Sequence, residues 1–481
     1  MSDLKEKAIK GVTWNAISRF STKGVNFIIG LILARILSPS DYGVVGMVGI
    51  FFAIAQTFVD SGFGSALIRK NDCDDIDCST AFFFNVIVGL LCCICLFMLS
   101  PFIADFFNTP ILRDIVKVMS LNLLIGSFTI VHSARLTHSV DFKSHAKVDF
   151  LSSLISGLVG IFLAYKGLGV WSLVLQNLSS TILKVILLFL VTKWFPKKVF
   201  SIESFRYLFG FGGKILASSL LHTAYSNLTT MIIGKVYSPQ DLGFYSRGQS
   251  LASFPSTNIT GILQGVTFPV LSKIQDDEKH LIESYRKLIS MTSLAIFFGM
   301  FLMASLAKPI ILTILTDKWS NAVIYLQVFC FTYMFDHLNA MNLNILYVKG
   351  LSNLVLRLEI IKKTISISMV LAAIPLGPLA MCIAGTVYTQ IAVIINTYYS
   401  GKLFGLGYFE QVKDFGKYFI FSIIAVIPAF VVTYTRLNSV LQLLFGFTSA
   451  CVIYLMMIKN DIYFKKLCTL VKDYFVLRHR K

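Results

Sequence analysis

The chain has 481 residues, of which 56% are hydrophobic and 14% are charged, and its mean hydropathy is +0.73. About a quarter of the residues of a soluble chain are charged, and many apolar runs of about 18 or more residues exclude a soluble class here. For a soluble protein the net charge of +18 would favour a nucleic-acid partner, whereas cytoplasmic loops of membrane proteins collect Lys and Arg. We therefore expect an all-α polytopic membrane protein with no nucleic-acid partner.

About fourteen apolar segments follow one another along the chain, each long enough to span a bilayer. The connections between them are shorter than about twenty residues, which leaves no room for a soluble catalytic domain. This spacing argues against a membrane enzyme such as a polymerase or a glycosyltransferase. The predicted spans are 14–37, 42–67, 79–104, 113–138, 148–165, 168–192, 207–235, 241–271, 288–315, 321–348, 358–375, 378–400, 416–435 and 438–458.

The distribution of Lys and Arg supports an even number of spans, because a missed span would reverse the side of every later loop. Loops and the tail predicted to lie inside hold 29 Lys and Arg, whereas loops predicted to lie outside hold 5. Both termini are therefore predicted to be cytoplasmic. The basic, aromatic tail over 459–481 is expected to contact the head groups of membrane lipids.

A short motif occurs twice and indicates an internal duplication. Residues 35–43 read RILSPSDYG, and residues 235–243 read KVYSPQDLG, at an offset of 200 residues. Pro suits the start of a turn and Asp caps a following helix, so each copy predicts a tight external hairpin between two spans. The predicted domains are an N-terminal six-helix lobe over 1–200, a C-terminal six-helix lobe over 201–402, two additional spans over 403–458 and the cytoplasmic tail over 459–481.

Polar side chains form stripes within three spans. A charged side chain inside a span costs about 2.5–3.5 kcal/mol on insertion scales, so it normally faces a cavity or a partner. Lys184 and the stripe cations Arg19, Lys23, Lys214 and Arg247 lie too deep to be dismissed as interfacial. The first span carries Asn15, Arg19, Thr22 and Asn26, the seventh carries Lys214, Ser218, His222, Ser226 and Thr229, and the eighth carries Arg247, Ser250 and Thr257.

The spacing of three and four residues puts each stripe on one face of a helix. The simplest arrangement has the stripes lining a shared aqueous cavity, while hydrogen bonds between helices and snorkelling are the alternatives. A cationic cavity implies an anionic cargo, because Arg and Lys bind phosphate well. The candidate substrate-binding residues are Arg19, Lys23, Asn26, Lys214, His222 and Arg247.

Two further pairs of charged residues are candidates for other roles. Arg35 and Lys235, in the repeated motif, are candidate phosphate contacts at the external rim. Asp60 and Asp336 are candidates for H⁺ or Na⁺ coupling, although a structural ion pair is the favoured alternative for each.

No cofactor, metal site or catalytic residue is expected from the motifs. The absence of a Walker A sequence argues against ATP hydrolysis by this chain. Cys73 and Cys78 are not accompanied by a His or by a second Cys pair, so they are expected to be free thiols.

Four spaced motifs occur in order along the chain. They are ARILSPSDYG at 34–43, GLGVWSLV at 167–174, LGFYSR at 242–247 and FPVLSKIQDD at 268–277. This set resembles the polysaccharide transporter family of the multidrug/oligosaccharidyl-lipid/polysaccharide exporter superfamily, and is most similar to its colanic-acid, teichuronic-acid and O-antigen flippases. The resemblance implies a V-shaped fold with two six-helix lobes and two further helices.

The resemblance also implies a function. Such proteins flip an oligosaccharide linked to undecaprenyl pyrophosphate from the cytoplasmic to the periplasmic leaflet of the bacterial inner membrane. Alternating access would then serve surface polysaccharide or lipopolysaccharide biosynthesis, with membrane lipids, a polysaccharide polymerase and the export machinery as further partners. Basic residues on the family's first and seventh helices correspond in charge class to Arg19, Lys23 and Lys214.

Two alternatives stay open at this point. A cation-coupled multidrug or metabolite antiporter of the same superfamily would depend on Asp60 or Asp336. Asp60 is the only deep carboxylate in the first two spans, which argues against that branch. A scaffold without transport activity would leave the paired cationic stripes without a purpose.

Overall fold

The computed structural model describes residues 22–70, 72–466 and 469, without the side chains of 262–266 and 268–270. These residues form α-helices and short 3₁₀ turns, with no strand among them, which confirms the all-α prediction. The helices are α1 (22–36), α2 (Pro39–Asp60), α3 (Phe63–Arg69), α4 (Asp75–Phe106), α5 (Leu112–Ser127), α6 (Thr129–His138), α7 (Phe142–Tyr165), α8 (Val170–Thr192), α9 (Ile202–Val236), α10 (Pro239–Lys273), α11 (Glu278–Ser305), α12 (Ala307–Ile314), α13 (Ala322–Tyr333), α14 (Asp336–Val348), α15 (Ser352–Ala373), α16 (Pro378–Phe404), α17 (Tyr408–Val432) and α18 (Ser439–Ile458).

Four predicted spans are each divided into two consecutive helices. The divisions separate α2 from α3, α5 from α6, α11 from α12 and α13 from α14. The first division occurs where Ser61 and Gly62 both adopt left-handed backbone angles, with φ of 49° and 69°. Within the described ranges, nine helical segments are long and apolar enough to cross a membrane. The chain is thus a multi-pass membrane protein, and the total of fourteen spans stays a prediction.

The repeated motif caps a helix in both copies. The Ser38 Oγ accepts a hydrogen bond from the Asp41 backbone N–H at 3.2 Å, and the Asp41 carboxylate accepts one from the Ser38 N–H at 2.8 Å. Ser238 and Asp241 repeat both contacts at 3.1 and 3.3 Å. Each copy is therefore a reciprocal capping box, which satisfies backbone donors at the start of α2 and of α10. The predicted caps are confirmed, and the external position of the two hairpins stays a prediction.

The two copies of the motif also pack against each other. A Cβ atom at Gly43 would overlap the carbonyl oxygen of Pro239, and one at Gly243 would overlap the carbonyl oxygen of Pro39. Glycine is required at both places because the partner backbone occupies the space of a side chain. The contacts are reciprocal, as expected for two copies related by a local two-fold axis.

The chain separates into two compact units, Met1–Gly243 and Phe244–Lys481. In the first unit α2 packs against α4, α5 and α9, and α7 packs against α8. In the second unit α11 packs against α17 and α13, and α15 packs against α16. The first unit therefore includes α9, while the lobe boundary near residue 200 that the repeat indicates stays a prediction.

An ion-pair cluster holds together the end of the first unit that is predicted to be cytoplasmic. The Asp75 carboxylate lies 3.0 Å from the Arg135 guanidinium and accepts a hydrogen bond of 3.0 Å from the Trp194 indole. Lys70, just after α3, donates to Asp77 at 2.5 Å. This hydrogen bond raises the pKa of Lys70 above its ordinary value. The cluster joins α3, α4 and α6 to the segment that follows α8.

We predict that replacing Gly43 by Ala destabilises the protein by about 1–3 kcal/mol, the usual cost of overpacking. The added methyl group meets the Pro239 backbone, which cannot rotate away as a side chain would. Chemical unfolding of the purified protein in detergent micelles measures the change in the free energy of unfolding.

Gly49→Ala is the matched control, because Gly49 lies in the same helix and its Cβ would meet no atom within 4 Å. This variant should be neutral or more stable by up to about 1 kcal/mol, since Ala favours the helix. Equal stability of the two variants would contradict the packing of the two motifs against each other.

Candidate functional site

The predicted substrate-binding residues are divided between the two units. Lys23 and Asn26 lie on α1 with exposed side chains, and Lys214 and His222 lie on α9, all in the first unit. Arg247 lies on α10 in the second unit. The predicted site residue Arg19 falls outside the described residues. A role of these side chains in binding stays a prediction.

The polar stripe of α9 lies on one exposed face of the helix. Lys214, Ser218 and His222 follow at intervals of four residues, and all three side chains are exposed. The packed side of the helix is held by backbone contact, since a Cβ atom at Gly62 would lie 2.5 Å from the Gly212 carbonyl oxygen. One face of α9 thus packs against the rest of the first unit, and the other face, which carries the cationic stripe, stays accessible.

The rim cations lie at helix ends, as predicted. Lys235 donates a hydrogen bond to the carbonyl oxygen of Phe106, and its Nζ lies 4.6 Å from the centre of that aromatic ring. These contacts satisfy one of the last carbonyl groups of α4. Arg35 is exposed near the end of α1. Lys235 thus has a structural role that accounts for its charge.

Arg247 is largely buried within the second unit. Only 9% of the residue is exposed. Its guanidinium carbon lies 5.6 Å from the centre of the Trp319 ring, a cation–π distance. Helical spacing predicts that Arg247 lies on a polar face of its helix. In the structure the side chain of Trp319, from the segment between α12 and α13, covers Arg247.

The two candidate coupling carboxylates have different surroundings. Asp60 is exposed at the end of α2 and accepts a hydrogen bond from the Gln56 amide at 2.9 Å. Asp336 is the first residue of α14 and is half-buried. The neighbouring His337 is buried, and its Nε2 lies 2.9 Å from the Ser293 hydroxyl.

Two cavities adjoin within the first unit. The hydroxyl cavity, of about 480 Å³, is lined by Thr57, Asp60, Ser65, Ser133, Thr137 and Ser219 among others. The amide cavity, of about 400 Å³, has the polar lining Gln56, Asn122, Asn177, Ser180, Thr181 and Lys184. Thr129 lines both cavities, so they are neighbours along the same set of helices.

None of the described residues that line the amide cavity is among the predicted site residues. Lys184 was noted as a deep cation, and the structure pairs its Nζ with Asp149 at 2.9 Å. The other oxygen of Asp149 lies 3.0 Å from Nδ1 of His145. The polar positions Asn177, Ser180, Thr181 and Lys184 recur along α8 at helical spacing, which is the one sequence signal for this face.

The chain matches one protein family and is similar to several named proteins. The sequence profile of a family described as polysaccharide biosynthesis protein matches residues 32–324. The chain is 23% identical over 416 residues to the lipopolysaccharide biosynthesis protein WzxC of Escherichia coli K12, covering 85% of this chain and 82% of the relative. It is 24% identical over 362 residues to the teichuronic acid biosynthesis protein TuaB of Bacillus subtilis 168, covering 74% of each chain.

A solved structure shares the fold over almost its full length. The lipid II flippase MurJ, in an inward closed conformation, superposes with a TM-score of 0.74 at 15% sequence identity. The match covers 93% of this chain and 99% of that chain. At this level of identity the likeness establishes the fold alone.

We predict that cysteines placed on the α9 stripe react with a charged, water-soluble thiol reagent, because thiolates form in water and not in hydrocarbon. Ser218→Cys and His222→Cys, each in a chain whose native cysteines are replaced, should be labelled rapidly in intact membranes. Mass spectrometry of the protein measures the labelled fraction over time.

Met98→Cys is the control, since Met98 is 69% exposed on the apolar helix α4, far from the stripe in sequence. It is expected to face lipid and to react slowly. Similar labelling rates at all three positions would contradict an aqueous face on α9.

Proposed function

Because this chain belongs to the family of polysaccharide biosynthesis proteins, with residues 32–324 matching its profile, we propose that it is a flippase for lipid-linked oligosaccharides. The observation that carries the proposal is the exposed cationic face of α9 in a multi-pass membrane protein. The relatives named for lipopolysaccharide and teichuronic acid biosynthesis support a carbohydrate cargo.

The carrier lipid in this proposal is undecaprenyl pyrophosphate. Its two phosphates are strongly anionic, and Lys and Arg are the side chains that bind phosphate most effectively. Lys23 and Lys214, together with Arg19, are the proposed contacts of the pyrophosphate, with Asn26 and His222 as polar neighbours. Arg247 is not included, because the Trp319 ring covers it within the second unit.

The proposed route runs from the cytoplasmic to the periplasmic leaflet of a bacterial inner membrane, with both termini in the cytoplasm. Anionic head groups cross hydrocarbon only at great cost, so a polar surface within the protein must replace water around them. Alternating access exposes that surface to one side of the membrane at a time. The chain then acts as a transporter and not as an enzyme, and a polymerase and export machinery would use its product.

We predict that Lys214→Ala abolishes export of the surface polysaccharide while the amount of protein in the membrane stays normal. Removal of this cation takes away a charge-assisted contact to the pyrophosphate, which is stronger than a contact between neutral groups. Complementation of a deletion strain, with surface polysaccharide measured by gel electrophoresis and protein by immunoblotting, tests this result.

Lys214→Arg keeps the charge and should retain export. Lys279→Ala removes an exposed cation at the start of α11, away from the stripe, and should export normally. Full export by a double variant carrying Arg19→Ala and Lys214→Ala would overturn the proposed phosphate site. Loss of export in Asp60→Asn with normal export in Lys214→Ala would instead favour the cation-coupled antiporter.

A further inference from the structure

We propose that the amide cavity of the first unit binds sugar residues of the cargo, and so forms a carbohydrate subsite separate from the phosphate contacts. The inference rests on the proposed function and extends it to a defined set of side chains. Gln56 of α2, Asn122 of α5 and Asn177 of α8 bring carboxamides from three helices to this cavity. Carboxamides both donate and accept hydrogen bonds, as sugar hydroxyls do.

The remaining lining of the cavity fits the same class of ligand. Ser180 and Thr181 add hydroxyl groups, and Phe52 adds an aromatic surface. A Cβ atom at Gly126 would approach Gln56 Oε1 only to 3.9 Å, and no side chain from this position fills the space. An apolar ring beside several neutral polar groups suits a pyranose, which has an apolar face and a rim of hydroxyls.

Asn122 provides an independent indication that this cavity binds a polar ligand. Both its Oδ1 and its Nδ2 are buried, and neither has a hydrogen-bond partner among the residues that the structure describes. A buried carboxamide without partners is costly and therefore rare in native proteins. Asn122 lines the amide cavity, so a ligand bound there could satisfy both atoms after a small rotation of the side chain.

The charge of the cavity selects a neutral ligand. Lys184 is the single cation that the described residues contribute to its lining, and the Asp149 carboxylate lies 2.9 Å from its Nζ. This pair leaves little net positive charge to attract a pyrophosphate, in contrast to the exposed stripe that carries Lys214. Neutral hydroxyls can still accept hydrogen bonds from the ammonium group, which has three donors.

The size and position of the cavity agree with this assignment. Its volume of about 400 Å³ lies within the range of about 300–1,000 Å³ usual for small-ligand sites. Thr129 connects it to the hydroxyl cavity, which continues past Ser133 and Thr137 towards the end of the unit that is predicted to be cytoplasmic. A sugar chain can therefore follow a polar path between the helices of one unit.

The test uses the full-length protein in lipid nanodiscs and two separate probes. The first probe is the free oligosaccharide released by mild acid from the lipid-linked intermediate of the deletion strain, with binding measured by calorimetry. The second is undecaprenyl pyrophosphate without sugar, with binding measured by native mass spectrometry. Asn122→Leu should weaken oligosaccharide binding by about tenfold or more, because sugar hydroxyls lose their partners, and should leave binding of the sugar-free carrier unchanged.

Two further variants keep the test decisive. Asn177→Leu changes an exposed side chain of the same cavity, so it should fold normally and also weaken oligosaccharide binding. Asn85→Leu is the matched control. Asn85 is likewise buried, and no partner for its carboxamide is found in the described part of the chain, but it lies outside both cavities. This control should bind the oligosaccharide like the unaltered protein.

The outcomes separate the subsite from the proposed function. If the deletion strain accumulates the lipid-linked intermediate but the unaltered protein does not bind the free oligosaccharide, the carbohydrate subsite is overturned and the flippase assignment stands. Equal losses in Asn122→Leu and Asn85→Leu would also overturn the subsite. A deletion strain that accumulates no lipid-linked sugar would overturn the proposed function, and the subsite with it.

Discussion

The cost of placing charge in hydrocarbon governs the polar architecture of this protein. Each charged side chain within a span costs about 2.5–3.5 kcal/mol on insertion scales unless water or a partner compensates it. Lys184 is compensated by Asp149 at 2.9 Å, and Arg247 lies 5.6 Å from the centre of the Trp319 ring. Lys214 is different, because it lies on an exposed face of α9. A cation on an accessible face of a predicted span is the arrangement expected where an anionic cargo passes.

Backbone contacts hold the start of α10 against α2, and α9 against the turn that follows α2. Gly43 of α2 meets the carbonyl group of Pro239, the first residue of α10, and Gly62 after α2 approaches the carbonyl group of Gly212 on α9. Glycines permit this approach because a Cβ atom would occupy the same space. The orientation of the polar stripe is therefore determined by packing on the opposite side of the helix. The repeated motif contributes to this packing and caps the starts of α2 and α10.

The parts that the sequence predicted well are those determined by local signals. Apolar length identified the helices, and the Ser and Asp of each repeated motif identified the caps, because both depend on residues within one turn or one span. The amide cavity was not predicted, since Asn122 and Asn177 belong to different helices and periodicity cannot tell which helices meet. The covering of Arg247 by Trp319 was missed for the same reason. The apolar pattern also does not predict the left-handed backbone angles at Ser61 and Gly62, which divide the second span.

The most direct test of the proposed function is transport by the purified protein alone. Proteoliposomes would be prepared with a fluorescent lipid-linked oligosaccharide in both leaflets, and an impermeant reagent would quench the label in the outer leaflet. We expect the protein to make the inner-leaflet lipid accessible much faster than in protein-free liposomes, and Lys214→Ala to lose this effect. Transfer no faster than in protein-free liposomes, from protein that is folded and inserted, would contradict the assignment as a flippase.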